Sequence, residues 1–181
     1  MQLEPQQYYH LYNRSNGREL IVRNSDNYFF LKRYRDRFRG QLKTIAYCLM
    51  PTHFHFLIQV ETDDIQSLKK DIGIFLSSYT KAFNNTFERH GSLFQQHTKA
   101  KHIDDISYLM TLITYIHQNP VRSNLVPRLE DWAFSSYRDF AGYRNGTLVD
   151  KQIVFEHFTS EKEFINFSEQ SISQVKDKYW I

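Results

Sequence analysis

Apolar residues recur along this chain with two distinct periods. Leu42 to Met50 (LKTIAYCLM) and His53 to Val60 (HFHFLIQV) carry the β-branched and aromatic residues that pack well on a pleated surface, and only Pro51 and Thr52 separate them. The spacing predicts two antiparallel strands joined by a tight connection. Tyr8 to Asn13 (YYHLYN) reads as a shorter strand, closed by the turn-prone Asn13 to Gly17 (NRSNG). Elsewhere the period lengthens. Ser25 and Asp26 supply cap chemistry for a helix in which Tyr28, Phe29, Leu31, Tyr34 and Phe38 recur before Gly40 stops the run. From Asp64 to about Asn85, the positions Ile65, Leu68, Ile72, Phe75, Tyr79 and Phe83 step by three or four, as in a long amphipathic helix. Ser92 to Ile103 (SLFQQHTKAKHI) is a weaker extended stretch. Asp104 or Asp105 then caps a second long helix, predicted to run through Ile116 with its end marked by Asn119 and Pro120.

The order strand, helix, strand, strand, helix, strand, helix predicts an α+β sandwich, an antiparallel sheet with helices packed on one face. Residues 1–145 make the main domain. Residues 146–181 are expected to form a C-terminal helical appendage, with short helices at Asp150 to Phe158 and Glu161 to Ser171. No internal repeat or low-complexity tract interrupts this order.

Composition adjusts the picture in several ways. With 181 residues, the chain is long enough to bury a core without disulfides. Cys48 is the only cysteine, which excludes an intramolecular disulfide and a cysteine-rich zinc site and suits a reducing cytoplasm. No run of eighteen uncharged apolar residues occurs, so no membrane span is expected. The aromatic share is 16%, which either fills the core or supplies stacking surfaces for unpaired bases. Net charge is only +3, but basic residues gather at Lys32 to Arg39 and at Lys99 to His102, consistent with a basic face or with plain solvated helix surface.

Two sets of residues could carry chemistry. His53 and His55 sit two apart on a strand, so the pleat points both imidazoles to one face, while Phe54 and Phe56 go to the other. Paired imidazoles can chelate one divalent metal; the ordinary alternative is a solvent-facing pair. On the second long helix, Ile106, Leu109, Met110, Ile113 and Ile116 define a core stripe. Tyr115 falls roughly 140° from the middle of that stripe at about 100° per residue. It is therefore expected to be exposed or to face a neighbouring surface rather than the core. Asn119 lies one turn further along the same face if the helix persists.

These residues stand in YCLMPTHFHFLIQV (Tyr47 to Val60) and YIHQNPV (Tyr115 to Val121). With DWAFSSY (Asp131 to Tyr137) and GSLFQQ (Gly91 to Gln96), the segments resemble the single-tyrosine HUH transposases, especially the REP-associated tyrosine transposases, over roughly residues 7 to 140. The resemblance implies a ferredoxin- or RRM-like HUH nuclease fold. It makes His53 and His55 the two histidines of the HUH motif and Tyr115 the nucleophile. Asn119 becomes the third metal ligand, with Gln118 as its rival should the helix unwind before Pro120. It further implies a divalent cofactor, Mg²⁺ or Mn²⁺, a 5′-phosphotyrosine intermediate, and single-stranded DNA carrying a hairpin as substrate, with monomer and homodimer both open. His117 and Lys99 are candidate helpers in activating the phenol. Arg14, Arg18, Arg23, Lys101 and Arg122 are the candidate DNA-binding cations, and Trp132 and Phe134 form either a stacking platform or ordinary core. Two rival functions remain: a nucleic-acid-binding module without catalysis, and a metal-dependent phosphodiesterase that activates water and dispenses with Tyr115.

Overall fold

The computed structural model describes residues 1–23 and 26–170; the expected cap Ser25, the side chains of Asp26, Tyr28 and Ile106, and the predicted helix end at Ser171 lie outside the described residues. Four strands, β1 (Tyr8–Arg14), β2 (Leu42–Leu49), β3 (His53–Val60) and β4 (Lys99–Ile103), form one antiparallel sheet in the order β2-β3-β1-β4. The helices are α1 (Asp26–Phe38), α2 (Ile65–Thr86), α3 (Ile106–Arg122), α4 (Tyr137–Phe140), α5 (Gln152–Phe155) and α6 (Glu161–Glu169). The α+β class and the antiparallel sheet are as the sequence predicts. The α2 cap follows its expected chemistry, with the Asp64 carboxylate accepting from the backbone N–H of Ser67 at 2.9 Å.

Alternation along β3 assigns the two faces of the sheet. Phe54 and Phe56 point toward α1 and α2, where the Phe30 ring lies 5.4 Å from Phe54 and Tyr34 stacks on Phe56 at 4.1 Å with planes 9° apart. His53 and His55 point to the opposite face, and the strand register puts Arg14, Tyr12, His10, Cys48, Lys99 and Lys101 there with them. A bulge in β2 between Thr44 and Ala46 switches faces. Thr44 thus meets Tyr34 on the helix-covered side, whereas the small side chains of Ala46 and Cys48 lie on the histidine side.

The helices divide between these two faces rather than packing on one as the element order predicts, because α3 carries an apolar stripe of its own that needs a sheet face to cover it. α1 and α2 share one, but α3 crosses the histidine face and is itself covered on its far side. There the Gln118 amide donates to the carbonyls of Ser168 and Gln170, and the His117 ring meets Phe164 at 6.0 Å. The C-terminal segment is knit into this layer, with Val149, Val154, Phe158 and Phe164 buried. Together with the 134–136 stretch it closes the β2 edge. The N–H of Leu49 donates to Phe134 O, that of Ser136 to Tyr47 O, and that of Asp150 to Thr44 O, pairing backbone groups that an open edge would leave to other chains.

Being a middle layer changes the expected environment of α3. Tyr115 is 6% exposed and so takes the second of its two expected environments, a neighbouring surface rather than water, because the face opposite the apolar stripe is occupied as well. The helix also runs to Arg122 with Pro120 inside it, beyond the predicted stop at Ile116. Pro120 lacks the N–H that would reach the Ile116 carbonyl, but it sits in the last turn, where little helix remains to be disrupted.

Candidate active site

Strand β3 fixes His53 and His55 on one face, with ring centroids 5.0 Å apart and planes at 89°. His53 is half-buried, and its Nδ1 pairs with the Thr52 hydroxyl at 3.2 Å, which leaves Nε2 as its outward nitrogen. His55 is wholly enclosed. Its Nδ1 meets Nε2 of His10 at 3.0 Å, and its Nε2 is buried with no hydrogen-bond partner among the described residues. Burial holds both rings in the neutral form. His53 is pushed down to about 4 by burial and the Arg14 charge, and His55 lies well below the ordinary histidine range because of burial, then its neighbours His10, His53 and Arg14. Neutral imidazoles with outward nitrogens are the form that ligates a metal at pH 7. An orphaned buried Nε2 beside a second histidine therefore fits a divalent cation. Among the described residues no group of three His, Cys, Asp or Glu side chains is placed to hold a metal ion together, so any ion held here draws further ligands from an amide, from phosphate or from water.

Helix α3 brings Tyr115 over this pair. Its ring stands edge-on to His55, with centroids 6.1 Å apart and planes at 79°. Burial raises the phenol above its ordinary value, while a hydrogen bond from the Asn119 side chain and the charges of Arg122 and Arg14 act the other way. Because the helix continues past Pro120, Asn119 keeps its place one turn beyond Tyr115, and its amide donates to the Tyr115 carbonyl at 2.9 Å. Gln118 turns elsewhere. Its amide is tied to Ser168 and Gln170, and its Oε1 accepts from Arg122 Nε at 3.1 Å. His117 is buried among Tyr137, Phe140 and Phe164 with Nε2 against the Ser136 hydroxyl at 2.7 Å, on the side of α3 away from the sheet histidines.

The candidate cations divide. Arg14 ends β1 directly across from His53, and Lys101 lies across from His10 with its ammonium 5.8 Å from the Tyr12 ring. Arg122 projects from the end of α3, and Lys99 is exposed on β4 across from Tyr12. The three strand residues line the histidine face, whereas Arg122 reaches Tyr115 from the end of the helix with its Nε on Gln118 Oε1. Arg23 does neither, since its guanidinium lies 4.5 Å from the Phe87 ring beside α2, on the other side of the sheet. Arg18 is exposed in the turn at Asn16–Arg18, beyond the end of β1. Trp132 donates to the Leu49 carbonyl at 2.9 Å and meets Phe134 edge-on, so both pack along the β2 edge. A groove of about 940 Å³ between α2 and the 88–98 segment contains none of His53, His55 and Tyr115.

Two residues of the site escape a reading of the sequence. His10 and Tyr12 line the same face as His55, with centroids 5.2 Å and 6.4 Å from it. The signal was present in YYHLYNR, where His10, Tyr12 and Arg14 alternate with the apolar Tyr9 and Leu11, but it gains meaning only once β1 is known to pair with β3.

The α+β sheet thus carries two histidines beneath a tyrosine, with arginine and lysine beside them. A protein of Haemophilus influenzae (strain ATCC 51907 / DSM 11121 / KW20 / Rd) named as a REP-associated tyrosine transposase is 30% identical over 125 residues, spanning 60% of this chain and 71% of the relative. The chain belongs to the REP-associated tyrosine transposases. Its fold matches the solved structure of a REP-associated tyrosine transposase bound to a REP hairpin, with a TM-score of 0.62 at 19% identity, covering 83% of this chain and 91% of that one. No family model matches. No helix among the described residues is long and apolar enough to cross a membrane.

Proposed function

We propose that this chain is a metal-dependent single-strand DNA endonuclease and strand transferase that forms a 5′-phosphotyrosine on Tyr115. One observation carries the reading: the Tyr115 ring meets His55 on the sheet face that also bears His53. His53 and His55 would hold Mg²⁺ or Mn²⁺ through Nε2, with the Asn119 amide oxygen as third ligand. When bound, the ion polarises the scissile phosphate and stabilises the charge that develops on it.

The remaining chemistry belongs to the chain. The Tyr115 oxygen attacks phosphorus, an O–P bond to the phenol forms, and the bond to the 3′-oxygen breaks, leaving a 3′-hydroxyl once that oxygen takes a proton. A different 3′-hydroxyl can then attack the phosphotyrosine, so cleavage and joining are one reaction with different acceptors. Free phenol is scarcely ionised at neutral pH, and the Arg122 and Arg14 charges favour the attacking phenolate. Arg14, Lys101 and Lys99 would neutralise the DNA backbone along the open side of the face. The REP hairpin in the related solved structure makes single-stranded DNA beside such a hairpin the substrate we assign. The approach of Tyr115 to His55 within one chain supports a site built from a single protomer.

The test is incubation of the protein with Mn²⁺ and a labelled REP-like hairpin bearing a single-stranded flank, followed by a denaturing gel. A covalent adduct that is lost in Tyr115→Phe and kept in Tyr108→Phe supports transfer through Tyr115. Cleavage that persists in Tyr115→Phe points instead to a hydrolase using water, and hairpin binding with no cleavage in any metal points to a non-catalytic binder.

A further inference from the structure

His10 and His55 are both fully buried, come from adjacent strands, and share a single hydrogen bond between Nε2 of His10 and Nδ1 of His55 at 3.0 Å. The two outer nitrogens of this pair, His55 Nε2 and His10 Nδ1, are buried without partners among the described residues. Only one proton can sit between the two rings, and its owner determines what the outer nitrogens can do. If His10 donates, a neutral His55 carries its hydrogen on Nε2 and has no lone pair to offer there. If His55 donates, its Nε2 is bare.

We infer that His10 is the positioning residue for His55. It accepts the Nδ1–H hydrogen bond, and so holds His55 in the tautomer whose Nε2 faces a divalent cation and fixes the plane of that ring. This rests on the proposed role of His55 as a ligand. A ligating histidine ordinarily gives its second N–H to a carboxylate, a carbonyl or water. Here a second imidazole fills that role, 45 residues away in sequence. With its Nε2 accepting, His10 must carry its own hydrogen on Nδ1, so both rings of the pair are Nδ1–H tautomers. The near-parallel rings, 23° between planes, keep the shared hydrogen bond close to both ring planes.

The test is a Mn²⁺ titration of the full chain, followed by the paramagnetic resonance of free Mn²⁺, on wild type, His10→Phe, His10→Gln and His55→Ala. It is joined by ¹⁵N–¹H correlation spectra of the imidazoles in the wild-type protein with Mg²⁺. His10→Phe is expected to weaken Mn²⁺ roughly ten- to a hundredfold, the range for loss of an outer partner of a metal ligand. His10→Gln, whose amide oxygen can accept the same hydrogen, should recover most of that loss. The spectra should show His55 and His10 as Nδ1–H tautomers. Unchanged affinity in His10→Phe alongside loss in His55→Ala overturns the role of His10 alone, as does an Nε2–H tautomer at His55 with Mg²⁺ bound. Unchanged affinity in His55→Ala overturns the metal site itself. Should His10→Phe fail to fold, the wild-type spectra decide.

Discussion

Tyr115 and His55 come from different layers of the fold and meet edge to face, 6.1 Å between centroids, inside a space from which water is largely excluded. That relationship has a cost as well as a use. The burial that orients the phenol also opposes its ionisation, while Asn119, Arg122 and Arg14 counter it.

A pH dependence follows. The Tyr115 phenol is raised above its ordinary value, so at neutral pH the phenolate is the scarce form. The single-turnover rate of adduct formation should therefore climb roughly tenfold per pH unit through the neutral and mildly alkaline range. In Arg122→Ala one of the groups lowering the phenol is gone, and the climb should begin at higher pH. Rates measured across that range on both proteins check this; superimposable profiles would detach Arg122 from the phenol.

Stability should depend on pH in the acid direction. His10 and His117 are each pushed down to about 3, chiefly by burial. The unfolded chain titrates near 6.5 and so binds protons first as pH falls. The stability these neutral rings contribute is complete above that value and is lost as pH drops toward the folded value. The loss is roughly 1.4 kcal/mol per pH unit for each ring. Urea unfolding at neutral pH and at successively lower pH should show the decline, and His117→Gln should make it shallower.

The cations separate by location. Removing Arg14 or Lys101 should weaken binding of a single-stranded flank and reduce the salt slope by roughly 0.7 for each phosphate no longer neutralised. Arg23→Ala should leave both unchanged and instead lower stability by about 0.5–1 kcal/mol through the loss of its place over Phe87. Fluorescence anisotropy over a salt series distinguishes the two classes.

How much of this was legible in the sequence depends on how many neighbours each feature involves. The hairpin of Leu42 to Val60 and the helix capped by Asp64 follow from local periods and local chemistry, and both stand as expected. So does the shared face of His53 and His55, which needs only the pleat. Tyr115 needed more. An amphipathic pattern presumes one wet side, but α3 is covered all round: the sheet histidines take the side of Tyr115, and the C-terminal layer covers His117 and Gln118. Asn119 depended on whether a helix tolerates proline in its last turn, which local rules leave open. His10 depended on strand order, which no local period encodes.

The proposal that one chain supplies both tyrosine and histidines is open to a complementation experiment. A mixture of Tyr115→Phe with a His53→Ala, His55→Ala double variant should form no more adduct than either alone, because each active centre draws its tyrosine and histidines from one chain. Recovery of a large share of wild-type yield in the mixture would show that tyrosine and histidines are exchanged between copies.

The most direct measurement is the site of covalent attachment. After reaction with Mn²⁺ and the hairpin substrate, the adduct is digested with nuclease and trypsin, and the peptide spanning residues 102–122, which contains both Tyr108 and Tyr115, is sequenced by tandem mass spectrometry. The phosphate remnant is expected on Tyr115. Its appearance on Tyr108 or on another residue, or strand cleavage with no remnant on the protein at all, would contradict the role assigned to Tyr115.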